Sequence, residues 1–286
     1  MNTSFVRRNV MLFFRDRTAV LLSLIAVFIV IILYAVFLGD VWLNDSMDYI
    51  DDPDILMNSW IVAGLLTIAS ITTTMGAFNI MVDDRVKKID KDFYSSPMKR
   101  NRITLGYIGS AFLIGVIMTI VTIVVAQLYI VLQGGNWFSP VMCGELFLLI
   151  LLSVLTSTSI VCFIISLIKS QSAFGTASTI LGTMIGFLTG VYLPVGALPA
   201  SVQSIINAFP LTHSASLFRQ IMMEDGMNTS FSHAPPEALG EFKEYMGVTI
   251  CFGDLEISAL VSVIILIVTT VIFFGLSVLN MSRKRM

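Results

Sequence analysis

Six stretches of the chain are apolar over enough residues to cross a bilayer, each bounded by polar segments: about Thr18–Leu38, Ile55–Val82, Ile103–Leu132, Leu146–Ile168, Ala173–Leu193 and Leu255–Leu279. A helix rises about 1.5 Å per residue, so roughly 20 residues span the hydrocarbon and each stretch suffices. Residues 1–17 are too polar to span. There Phe5, Val6, Val10, Met11, Phe13 and Phe14 interleave with Arg7, Arg8, Arg15 and Arg17, the pattern of a helix lying in the membrane interface rather than a frayed basic tail. Between the fifth and sixth stretches, Val202–Met223 is apolar but interrupted by Pro210, His213 and Arg219. A segment whose two ends lie on one side reads as a re-entrant or interfacial hairpin, tolerated at membrane depth where protein shields its backbone. The expected fold is an all-α integral membrane protein. It has an interfacial helix over 1–17 and a six-helix transmembrane domain over 18–286, with an inner loop at 83–102 and an outer re-entrant and cap segment at 194–254.

Charge supports the count. Fifteen of the 17 Lys and Arg residues fall on one set of alternate flanks, leaving Arg219 and Lys243 opposite, and 14 of the 19 acids fall on the other set. A miscounted helix would scramble this alternation. The excess of bases on one side predicts that both termini are cytoplasmic and that the chain sits in the cell (inner, cytoplasmic) membrane. Hydrophobic residues make up 56% and charged residues 13%, against about 25% charged in soluble domains, so little soluble mass remains. The bases are spread over short segments flanking the spans, which argues for topology and anionic lipid, not nucleic acid, as their partner.

Within that frame, the inner loop Asp83–Arg102 is far longer than a mere connection. It holds seven bases and four acids around Phe93-Tyr94-Ser95-Ser96-Pro97, a composition suited to docking; anchoring to the interface is the alternative for the two aromatics. Gly182, Gly186 and Gly190, spaced by four, predict a helix face that lets another backbone approach closely. Beyond them, Pro194, Gly196 and Pro199 break the helix. The first outer loop carries Asp40, Asp45, Asp48, Asp51, Asp52 and Asp54, without the spacing of a calcium loop. Cys143 and Cys251 both fall at outer flanks, where a disulfide is topologically possible.

Several chemistries are missing. No ionisable residue lies mid-span, which counts against a proton-coupled carrier. HExxH and GxSxG are absent, and two histidines, His213 and His233, make a poor metal set. No catalytic, cofactor or metal site is expected on this chain, nor is there a GxxxxGK[ST] phosphate loop, so nucleotide energy has to come from a partner. Hydroxyls in the second and fourth stretches (Thr67, Ser70, Thr72–Thr74, Thr156–Ser159) serve either as glue between helices or as a mildly polar path for an amphipathic solute.

Three places then carry a family resemblance. Arg8-Asn9 is followed by Phe14-Arg15-Asp16-Arg17. Asp83-Asp84-Arg85 is followed by Phe93-Tyr94-Ser95-Ser96-Pro97 and Arg102. Gly190-Val191-Tyr192-Leu193-Pro194 runs through Leu198-Pro199 to Phe209-Pro210-Leu211-Thr212. In this order they resemble the membrane (permease) subunit of type-2 ABC exporters, a group that includes drug-resistance and polysaccharide-export permeases. Asp84-Arg85-Val86 stands where the family often has a Glu and an Arg-Gly. The resemblance implies a second permease copy or a similar chain, and separate ATP-binding subunits carrying ATP and magnesium. It implies ATPase coupling through Asp84, Arg85, Lys91, Asp92, Phe93, Tyr94, Ser95, Ser96 and Pro97, and an outer gate at Gly190, Pro194, Pro199 and Pro210. The function it implies is ATP-driven export of a hydrophobic or amphipathic compound such as a drug, antibiotic, peptide or lipid. An ion-gradient-driven carrier or channel acting without an ATPase is the alternative.

Overall fold

The computed structural model describes residues 3–33, 53–95, 100–232, 235–253 and 255–283. The acidic residues from Asp40 to Asp52, together with Ser96, Pro97 and His233, lie outside these. In chain order the elements are α1 (Thr3–Arg15), α2 (Arg17–Leu33), α3 (Pro53–Val86), α4 (Ile89–Ser95), α5 (Arg100–Leu132), α6 (Pro140–Leu167) and α7 (Gln171–Leu188). A 3-10 turn (Val195–Ala197), α8 (Ala200–Ala208), α9 (Pro210–Ser230) and α10 (Pro236–Tyr245) follow. The short strands β1 (Ile250–Phe252) and β2 (Leu255–Ile257) pair antiparallel before α11 (Ala259–Arg283).

The chain is an all-α membrane protein. Among the described residues, four helices are long and apolar enough to cross a bilayer: Leu56–Val86, Arg102–Leu132, Pro140–Leu167 and Ala259–Asn280. The first and fifth apolar stretches are helical as well. Of the first, α2 is described over 17 residues, and α7 runs 18 residues with its hydropathy lowered by serines, threonines and glycines.

The spans divide by burial. The apolar window of α3 is 89% buried and that of α11 only 22%, so α3 is the central post and α11 an outer one. Around α3 pack α5, α9, α6, α7 and α2. Helix α1 buries Phe5, Val6, Asn9 and Phe13, one stripe at helical spacing, chiefly against α5. Where α1 gives way to α2, Asp16 Oδ1 accepts the Ala19 amide at 3.0 Å, a local N-cap.

Several boundaries differ from the sequence expectation, and three of them have a plain local reason. The fourth stretch starts its helix at Pro140 rather than Leu146, because Ser139 caps it (Met142 N–H to Ser139 Oγ, 3.2 Å) and Pro140 suits the first turn. The fifth stretch stops at Leu188 rather than Leu193. Gly190 takes φ +63°, the Gly190 amide donates to Phe187 O and the Val191 amide to Gly186 O, so a left-handed glycine cap closes the helix. The sixth begins at Ala259, because Leu255–Ile257 pair as a strand with Ile250–Phe252.

Candidate functional site

At the end of α3 rich in charge, Asp84 is 5% exposed and fully engaged. Arg8 of α1 donates to both its oxygens, Nη1 to Oδ2 at 2.7 Å and Nη2 to Oδ1 at 3.0 Å. Tyr107 of α5 donates its hydroxyl to Oδ2 at 2.7 Å. A two-pronged guanidinium–carboxylate contact is both stronger and more directional than a single charged hydrogen bond. Hydrogen bonding to the Asp84 carboxylate, and its charge, hold the Arg8 guanidinium above its ordinary pKa. Asn9 extends the network, accepting from Arg8 (2.9 Å) and donating to Ser110 Oγ at 3.2 Å.

The short helix α4 is fastened to this network. Lys88, at φ +61°, turns the chain after α3. The Phe93 ring then meets Phe5 edge to face at 5.1 Å and lies 5.0 Å from the Arg8 guanidinium, while Phe5 meets Tyr107 at 5.0 Å. Next to Asp84, Arg85 donates to the carbonyl of Ile168, the cap of α6, at 3.1 Å. A cation at a helix C-terminus is favourable, and here it ties α3 to the α6–α7 turn. Asp83 and Lys87 form an exposed pair at 2.6 Å that raises the Lys87 pKa.

At the opposite end of α3 a second cation is buried completely. Arg219 of α9 has no exposed surface and, among the described residues, no carboxylate against it. Its Nη2 donates to Thr189 O (3.0 Å) and Gly190 O (2.9 Å), and its Nη1 to Gly247 O (3.2 Å). These are carbonyls at the C-terminal ends of α7 and α10. Both helices close alike: Gly247 has φ +65°, its amide donates to Glu244 O and the Val248 amide to Lys243 O. The partial negative charge of two helix ends thus balances one guanidinium. Trp60 of α3 covers it at 4.8 Å and donates its indole N–H to Met246 O at 2.7 Å.

The profile of the ABC-2 type transporter family matches residues 3–223, from α1 into α9. The chain belongs to the ABC-2 type transporter family. It is a permease, the membrane component of an ABC transporter. Comparison with curated proteins gives no significant match.

In this ABC-2 transporter the coupling residues named from sequence divide into two sets. Asp84, Arg85 and Phe93 face inward as anchors, whereas Lys91, Asp92 and Ser95 are exposed on α4, and Tyr94 lies in the same helix. Ser95 Oγ donates to Asp92 O at 2.9 Å. Of the gate residues, Gly190 caps α7, Pro194 precedes the 3-10 turn, Pro199 opens α8 and Pro210 begins α9. The three glycines do not share one helix face. Gly190 lies beyond the end of α7, Gly186 is filled by the Tyr192 ring, and only open space lies over Gly182. Side chains also press on bare glycines elsewhere, Val191 on Gly64 of α3 and Phe5 on Gly106 of α5.

The hydroxyls bind helices to one another. Ser214 of α9 donates to Ser153 of α6 at 2.7 Å, Ser153 to Ser70 of α3 at 3.1 Å, and Ser70 and Ser157 pair at 3.0 Å, all without exposed surface. Thr156 and Thr270 join α6 to α11 at 3.0 Å. For these residues that is the gluing arrangement, whereas Thr72–Thr74 bond back to carbonyls of their own helix and Thr72 borders a groove between α2, α3 and α7. Cys143, Cys162 and Cys251 are free thiols. Among the described residues no group of three His, Cys, Asp or Glu is placed to hold a metal.

Arg8, Asn9 and Tyr107 were not named as site residues from sequence. A polar Asn9 within the buried stripe of α1 is the signal that could have found them. Arg219 and Trp60 left no comparable trace.

Proposed function

We propose that this permease exports a hydrophobic or amphipathic compound, driven by a separate ATP-binding subunit that docks on α4. The observation that carries this reading is the construction of α4. A seven-residue helix is pinned by Phe93 to the Arg8–Asp84–Tyr107 network while Lys91, Asp92 and Ser95 point outward. A push on the exposed face then moves α1, α3 and α5 together. In this reading both termini are cytoplasmic and α2 and α7 complete six spans. Helix α1 lies in the inner interface, and α8 with the first half of α9 forms the outer re-entrant gate. Ser96 and Pro97 extend the docking face.

A second copy, or a similar chain, shares the substrate path. A groove of about 430 Å³ between α2, α3 and α7 supports this assignment; Ser23, Thr72, Asn79, Gln171 and Ser178 give it a mixed lining. The test is co-purification of the tagged chain from native membranes. Wild type should bring down an ATP-binding subunit, and Lys91→Glu/Asp92→Lys should lose it while keeping its own expression and fold. If no ATPase accompanies the wild type, an ion-gradient carrier takes precedence.

A further inference from the structure

A second groove, of about 360 Å³, lies between the last turns of α5 and the first turns of α6. Its walls are apolar, among them Ile123, Leu146 and Ile150, and Trp137 and Phe138 of the connecting loop border it. No charged side chain is found in its described lining. One polar side chain is: Gln127 of α5, only 6% exposed. Its Nε2 donates to the Asn136 carbonyl at 3.0 Å, which fixes the orientation of the amide. Its Oε1 is buried and, among the described residues, has no donor. A buried acceptor without a partner is uncommon and unfavourable, and the groove is too apolar to hold water well.

The surroundings indicate what supplies the donor. Val124, Leu128 and Phe147 border the groove with about half their surface open, continuous with helix faces that meet lipid chains in a spanning protein. Trp137 is 68% exposed at its mouth, the position an indole takes at headgroup depth. Gln127 sits five residues before the end of α5, about 8 Å below it along the axis. That is the depth of a glycerol hydroxyl, not of a phosphate. We propose that the groove binds one acyl chain of a bilayer lipid whose glycerol hydroxyl donates to Gln127 Oε1.

The test uses the full-length protein in phosphatidylcholine vesicles, whose headgroup has no donor. A monoacylglycerol with a brominated chain is titrated in, and in parallel its twin with both hydroxyls acetylated. The readout is the tryptophan quenching lost on Trp137→Phe. The hydroxyl-bearing probe should quench at about fivefold lower concentration, the factor supplied by one ordinary net hydrogen bond. Gln127→Leu should bring the two probes level. Ile123→Phe, which keeps the amide but fills the groove, should abolish quenching by both. Equal quenching by the two probes in the wild type, a preference that survives Gln127→Leu, or quenching unaffected by Ile123→Phe overturns the proposal.

Discussion

Arg219 and Trp60, on helices α9 and α3, form a stacked pair 4.8 Å apart in which, among the described residues, the cation's hydrogen bonds all go to backbone carbonyls. Solvent does not reach the guanidinium, so its free energy rests on the aim of three carbonyls and one ring. Removing it strands acceptors from two different helix ends.

Arg219→Ala should therefore lower stability by about 3 kcal/mol or more, since each stranded buried acceptor costs roughly 1–3 kcal/mol. Arg219→Lys should recover only part of this, because a single ammonium cannot reproduce the planar spread of a guanidinium. Thermal unfolding in detergent checks both; an alanine variant that melts like the wild type would falsify the clasp.

The glycine at the end of α10 should prove equally sensitive. At φ +65°, Gly247→Ala enters left-handed backbone at about 1–2 kcal/mol. The added methyl would also lie 3.0 Å from Arg219 Nη1 and 2.9 Å from Val195 Cγ2. Gly182→Ala makes the opposite control. Nothing lies within 4 Å of its new methyl, and a helical alanine gains up to about 1 kcal/mol. If Gly182→Ala leaves the melting temperature intact but abolishes self-association in crosslinking, the second copy seats on this face of α7.

Much of this architecture was legible in the sequence, and the unread parts share a cause. Apolar length and alternating charge mark the helices because each is a property of contiguous residues. Arg219 reads as one outward-side charge; only the fold brings it to Thr189, Gly190 and Gly247, about thirty residues away on either side. Phe93 was legible as an aromatic in a charged loop, but its partner Phe5 lies at the other end of the first two spans. Gly186 and Gly190 kept the right spacing for a helix face, yet the φ of Gly190 ends the helix before the face is complete.

At the charge-rich end of α3, Asp84→Asn and Arg8→Gln should interact. A double-mutant cycle on stability should return a coupling of about 1–2 kcal/mol, discounted because Arg8 retains 31% side-chain exposure. Transport by Asp84→Asn should fall further than ATPase co-purification does, since Lys91 and Asp92 are untouched. A parallel loss of both would place Asp84 in fold maintenance alone.

Thiol labelling separates the two flank cysteines. Burial, with help from Glu244 and Glu256, pushes the Cys251 thiol above its ordinary pKa, whereas Cys143 is exposed. At neutral pH the thiolate fraction of Cys251 is reduced. A membrane-impermeant maleimide should modify Cys143 first, and the rate at Cys251 should climb roughly tenfold per pH unit until its pKa is reached. Mass spectrometry of the peptides reads both rates, and equal reactivity at pH 7 would contradict the partial burial of Cys251.

Helix α3 joins the two cation sites as one uninterrupted rod of 34 residues, about 50 Å long. Asp84 lies about 21 Å from Ser70 along its axis and Trp60 about 15 Å on the other side. The serines that lash Ser70 to α6 and α9 make that point the natural fulcrum. A tilt of about 5° there carries Asp84 nearly 2 Å one way and Trp60 just over 1 Å the other. Such a lever has a fixed gear ratio: a stroke delivered at one membrane surface arrives at the far one reversed in direction and shortened by about a third.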